Sequence, residues 1–104
     1  MINIVKDNLA ELRNICRQNH VKSLYLIGSA TDSSRFDGDS DIDLLYRFAK
    51  NEIPEMAYAD NYFSLLFALQ NFFNRRVDLV AEEKINNPYF LNSIKNQMEP
   101  IYES

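Results

Sequence analysis

Polar and apolar positions recur along this chain at two different periods. Over residues 3–19, Val5, Leu9, Leu12, Ile15 and Cys16 return every three or four positions, with Asp7, Asn8, Glu11 and Asn14 between them. That period predicts an amphipathic helix with Asn3 as its N-cap. His20 ends it, placed as a partner for the negative end of the helix dipole. Residues 21–28, VKSLYLIG, are apolar and β-prone and predict a buried strand. The polar run SATDSSRFDGDS over 29–40 predicts a loop with room for a turn of helix. Residues 41–48, DIDLLYRF, predict a second strand, and Pro54 breaks the connector that follows.

Residues 56–73 predict a long helix, with Met56, Ala59, Tyr62, Phe63, Leu66, Leu69, Phe72 and Phe73 on one broad face. Asn74 suits the left-handed position at its end. VDLVA over 77–81 predicts a third strand. Asn87 as cap and Pro88 at the first helical position open a last helix running to about Met98. Ile101 and Tyr102 add a short edge strand after Pro100. The order predicts an α/β (α+β) fold, a small mixed sheet of three to four strands flanked by helices. The 104 residues are the size of a single domain spanning 1–104.

Composition narrows the function classes. The net charge is −4, from 15 acidic and 11 basic side chains, so no broad basic face is available to clamp a phosphate backbone, and direct nucleic-acid binding is not expected. Cys16 is the single cysteine, which excludes an internal disulfide; it lies on the apolar stripe of the first helix and reads as core. No run approaches the ~20 apolar residues of a membrane span, and the first residues lack a signal-peptide core. The cytoplasm is the expected compartment.

The candidate chemistry lies in three short pieces. Asp41 and Asp43, two apart in a strand, point to the same side with their Cβ atoms about 6.5–7 Å apart, while Ile42 points into the core. Two carboxylates at that spacing can converge on Mg²⁺, a hard ion held by carboxylates and substrate phosphates. Alone, the pair also fits a solvated strand start. Asp78 sits inside the apolar run VDLV, where an aspartate needs a partner. It either faces the same site or pairs with Arg75 or Arg76. Gly28 and Ser29 end the first strand; glycine admits a phosphate close to the backbone, and the hydroxyl can donate to it. Alone, they also fit an ordinary turn. Asp37 and Asp39 read as loop and turn chemistry, with Asp39, of the same parity as Asp41, also able to flank the metal site.

A strand ending in Gly28-Ser29, a polar loop, Asp41-Ile42-Asp43 on a strand, and Val77-Asp78-Leu79-Val80 on a later one resemble the pattern of the DNA polymerase β-like nucleotidyltransferase superfamily. The chain resembles its minimal nucleotidyltransferase (MNT) branch, often called MntA-like, from about Val21 to Val80. The resemblance implies that Gly28 and Ser29 contact the triphosphate of ATP or another NTP, and that Asp41, Asp43 and Asp78 are catalytic and bind Mg²⁺, as two ions. It implies transfer of NMP, AMP from ATP, to an acceptor hydroxyl, with Asp78 helping to activate that hydroxyl. Two departures stand out. Eleven residues separate Ser29 from Asp41, one more than usual, and Asp32-Ser33 replaces the Arg-Gly that many relatives carry. Arg35 is the candidate replacement for that phosphate contact.

The branch also implies a partner. Its members act as antitoxins that transfer AMP onto a tyrosine of a HEPN-domain toxin, and a HEPN protein is expected here. The alternatives are a binding module that neutralises a HEPN partner by contact alone, and the catalytic subunit of a small-molecule (aminoglycoside-like) nucleotidyltransferase. A partner surface should draw on some of Tyr58, Tyr62, Tyr89, Phe90 and Tyr102, since aromatics are enriched at interfaces.

Overall fold

Four strands form one mixed sheet in the order β3-β2-β1-β4. The computed structural model describes residues 1–32 and 34–104; Ser33, within the expected 29–40 loop, lies outside the described residues. In chain order the elements are α1 (Asn3–Lys6), α2 (Leu9–Gln18), β1 (Val21–Ile27), β2 (Ile42–Phe48), α3 (Tyr58–Phe73), β3 (Val77–Ala81), α4 (Pro88–Lys95) and β4 (Glu99–Glu103). β1 runs antiparallel to β2 and β4, and β2 parallel to β3. The parallel pair is joined through α3, as a parallel connection requires a crossover. β4 is the expected edge strand, and its Pro100 is tolerated because an edge leaves one side of the ladder open.

Strand alternation sends side chains to two unequal faces. Ile42, Leu44, Tyr46 and Phe48 join Leu12 and Cys16 of α2 and Leu65, Leu69 and Phe73 of α3 in the main core. Leu45, one position out of phase, joins Ile27 and Ile94 of α4 in a smaller cluster on the opposite face. Cys16 is fully buried, and burial pushes its thiol up to about 12. Asn19 is the buried polar stitch between α2 and α3. Its side chain donates to Ile15 O and accepts from Ser64 Oγ, and its carbonyl accepts from Asn61.

Several expectations need correction. The first helix is broken at Asp7–Asn8, where the Asn8 side chain donates from Nδ2 to the Ile4 carbonyl at 2.8 Å and the chain leaves helical geometry. Ile2, not Asn3, precedes α1. His20 adopts φ 57 just past α2 and pairs with Glu52 at 3.0 Å, across the connector. α3 begins at Tyr58, after a 3-10 turn over Glu55–Ala57. Its buried stripe is Leu65, Leu69 and Phe73; Leu66 is half-buried, Phe63 is exposed and Met56 is 92% exposed. The helix meets the sheet along a narrower line than a broad apolar face suggests. Asn74 does take the left-handed conformation, φ 53 and ψ 41, and the Asn87 side chain does accept from the Tyr89 and Phe90 amides.

Candidate active site

β2 and β3 run side by side in a register that sets Ile42 against Val77 and Asp43 against Asp78. Neighbours in register project to the same face, so Asp43 and Asp78 stand together. Ile42 is fully buried on the other face, which leaves Asp41 on the side of Asp43. One step before the ladder, the Ile42 amide donates to Arg76 O at 3.0 Å, and Arg76 Nε lies 3.9 Å from Asp41 Oδ1. The patch is a two-by-two grid, Asp41 beside Arg76 and Asp43 beside Asp78.

β1 closes a third side. Ile27 pairs with Asp43, and Gly28 follows with φ 69, in the left-handed region. Its φ favours glycine, and a Cβ there would sit 2.6 Å from Asp43 Oδ2 and push that carboxylate from its place. Gly28–Thr31 then form a 3-10 turn, with Thr31 Oγ1 donating to Gly28 O at 2.7 Å, and Ser29 sits half-buried within it.

Partial burial raises the Asp43 carboxyl above the usual carboxylate range, and the charges of Asp78 and then Asp41 raise it further. The charges of Asp78 and Asp41 therefore both reach the Asp43 carboxyl. As the side chains stand, no three Asp, Glu, His or Cys side chains among the described residues form a ready-made metal cage, and Asp41 leans to Arg76. The donor set nonetheless suits a hard divalent cation: only carboxylate oxygens, with mutual repulsion that a cation would relieve, beside a glycine whose missing side chain keeps Asp43 accessible.

Asp78 differs from expectation in its surroundings. It is exposed, because β3 is an edge strand, and it needs no buried partner. Neither arginine is bonded to it. Arg75 instead donates to Asp37 O at 3.2 Å and Ser40 O at 2.9 Å, and stacks over Phe36 at 4.6 Å. Arg76 goes to Asp41. The sequence offers these arginines as partners for Asp78; the structure gives them the loop ahead of β2 and Asp41 instead. Asp37 accepts from the Asp39 amide and from Ser40 Oγ, the expected turn chemistry, and these bonds hold its carboxyl low. Asp32 is likewise held low, by the Ser34 hydroxyl and amide and, more weakly, by Arg35, which is exposed.

A family model described as polymerase beta, nucleotidyltransferase, matches residues 10–104. This chain belongs to the nucleotidyltransferase family. A Methanocaldococcus jannaschii protein provisionally named a protein adenylyltransferase is 30% identical over 95 residues, 90% of this chain and 91% of that protein. A second from the same organism, provisionally named likewise, is 32% identical over 98 residues, 93% of this chain and 94% of that protein. Among solved structures, one described as a minimal nucleotidyltransferase superposes with a TM-score of 0.72 at 22% identity, covering 91% of this chain and 90% of the other. A toxin–antitoxin structure with AMP-PNP gives 0.67 at 20% identity, covering 93% and 74%. A structure of a tri-AMPylated Shewanella oneidensis HEPN toxin with its MNT antitoxin gives 0.62 at 18%, covering 96% and 73%. These structural likenesses confirm the fold, a four-stranded sheet flanked by helices, as that of the minimal nucleotidyltransferases.

Proposed function

We propose that residues 1–104 act as a single nucleotidyltransferase domain that transfers AMP from ATP to a tyrosine hydroxyl of a HEPN-domain partner in the cytoplasm. The observation that carries this reading is the in-register pairing of Asp43 with Asp78, with Asp41 and Gly28 at the same corner. The neighbours that pair an MNT antitoxin with a HEPN toxin, one of them AMPylated, support the choice of acceptor.

Asp41, Asp43 and Asp78 would hold Mg²⁺, as two ions. When bound, the cations would neutralise the negative charge of the phosphates. Gly28 leaves the backbone open to the triphosphate, and the Ser29 hydroxyl and following amides donate to it. Asp78, exposed on the edge strand, accepts the proton of the acceptor hydroxyl. That oxygen bonds to the α-phosphorus, the bond to the β-phosphate oxygen breaks, and pyrophosphate leaves. Positioning and charge neutralisation supply the acceleration.

The test is incubation with labelled ATP, Mg²⁺ and the product of the neighbouring gene, read by mass spectrometry. The partner's tyrosine should gain one or more AMP masses and its toxicity should fall, and Asp41→Asn should lose both effects. One observation favours the contact-only alternative: Arg76 Nε lies 3.9 Å from Asp41 Oδ1, so the carboxylate has a cationic neighbour within the chain itself. Full protection by Asp41→Asn with no added mass would establish that alternative. No partner binding at all would move the acceptor to a small, aminoglycoside-like molecule.

A further inference from the structure

We propose that Arg75 is a positioning residue for Asp41, clamping the loop ahead of β2 onto the entrance of β3. This inference rests on reading the carboxylates as the NTP site.

Asp41 lies just outside the sheet, one residue before the first position of β2. Its backbone is therefore set by its two neighbours. The Ile42 amide on one side is held by Arg76 O at 3.0 Å. The Ser40 carbonyl on the other is held by the Arg75 guanidinium at 2.9 Å. Two successive residues at the α3–β3 junction thus bracket the aspartate, and the next residue but one is Asp78. Arg75 makes two further contacts on the same loop, a bond to Asp37 O at 3.2 Å and a stack over Phe36 at 4.6 Å. Phe36 itself packs against the main core. The guanidinium so joins a core-anchored ring, a turn and the residue preceding Asp41.

Only arginine has the geometry for this combination. Its planar fork presents several donors at fixed angles and a flat face for the ring, whereas a lysine ammonium is a single point of charge. The segment needs such a tie. Residues 34–39 lie outside any helix or strand, and Phe36 is their one apolar side chain.

The test uses the full chain as wild type, Arg75→Ala, Arg75→Lys and Asp43→Asn. Affinity for ATP with Mn²⁺ is titrated, and cleavage by trypsin after Arg35 reports on the loop. Arg75→Ala should weaken ATP·Mn²⁺ binding about tenfold or more, the usual consequence of removing a group that orients metal ligands. It should also speed cleavage at Arg35, while far-UV circular dichroism stays unchanged. Arg75→Lys, which keeps the charge and most of the packing, should recover only part of the affinity; it carries the test should the alanine variant unfold. Wild-type affinity in a folded Arg75→Ala variant, or weakened affinity with unchanged cleavage, overturns the clamp while leaving the site reading intact. If the wild type does not bind ATP·Mn²⁺, or if Asp43→Asn binds equally well, the site reading fails and the clamp falls with it.

Discussion

The face of the sheet beneath α2 and α3 and the face shared by α4 and the carboxylates are built from the same strands to different ends. Along β2, Ile42, Leu44 and Tyr46 enter the main core, while Asp43 and Leu45 turn the other way. The first face is sealed by α2 and α3 with fully buried Leu12, Leu65 and Leu69. On the second, Ile27, Leu45 and Ile94 make a small cluster next to a crowd of negative charge. The period of two lets one strand hold a fold together on one side and present unfavourable charge on the other. The packed face supplies the rigidity that holds the carboxylates in place despite their repulsion.

The sharpest way to break this comparison is to empty the packed face. Leu69→Ala removes a fully buried side chain of α3 and should cost about 2–5 kcal/mol, a large part of the stability of a small domain. Phe63→Ala, on the same helix but 49% exposed and stacked on exposed Phe67, should stay within about 1 kcal/mol of the parent. Urea melts of both variants decide it. Equal losses would mean that α3 buries a broad face after all.

That helix also marks what the sequence could and could not tell. Its existence, its end at Asn74 and the following strand were legible, because helical period, left-handed asparagine and β-branched runs are local signals. Which flank of this mostly apolar helix faces the sheet was not, since the choice between Leu65 and Leu66 depends on where the sheet lies. The shared side of Asp41 and Asp43 was legible from the period of two. The placing of Asp78 beside Asp43 was legible only through the resemblance, because strand pairing is a long-range fact. Its exposure was misread for the same reason: VDLV looks buried until β3 is known to be an edge. The sequence offered Arg75 and Arg76 only as partners for Asp78, since their actual partners lie about 35 residues away across α3.

At the boundary between the two regimes stands Gly28. It ends β1 with φ 69 and leaves the space that Asp43 Oδ2 occupies. Gly28→Ala should cost about 1–2 kcal/mol through the left-handed backbone alone. The clash at 2.6 Å is with the far end of a side chain, so the carboxylate can swing away at little further cost to the fold. The swing moves Asp43 out of its place beside Asp78, so binding of ATP·Mn²⁺ should suffer far more than stability does. A variant that loses stability yet binds ATP·Mn²⁺ as the parent does would separate Gly28 from the site.

The smallest effect tests the charge on the open face directly. Burial, Asp78 and Asp41 raise the Asp43 carboxyl in the fold. A group whose folded value is raised contributes stability that is fully present below its unfolded value and lost as pH rises through the folded one. Asp43 thus favours the fold in acid and opposes it once ionised. Asp32 and Asp37 behave the opposite way: their bonds to Ser34, Asp39 and Ser40 hold them low, so their contribution is present above the unfolded value and fades as pH falls. In chelator, Asp43→Asn should therefore gain on the parent as pH rises from the ordinary aspartate value through the raised one. The difference in melting temperature between the two proteins at each pH isolates Asp43, because Asp32 and Asp37 are common to both. Added Mn²⁺ should stabilise the parent and narrow that difference near neutral pH, since the cation relieves the repulsion that the asparagine has removed. A difference that stays constant with pH would mean that Asp43 is not crowded by its neighbours, and the contrast between the two faces would then rest on packing alone.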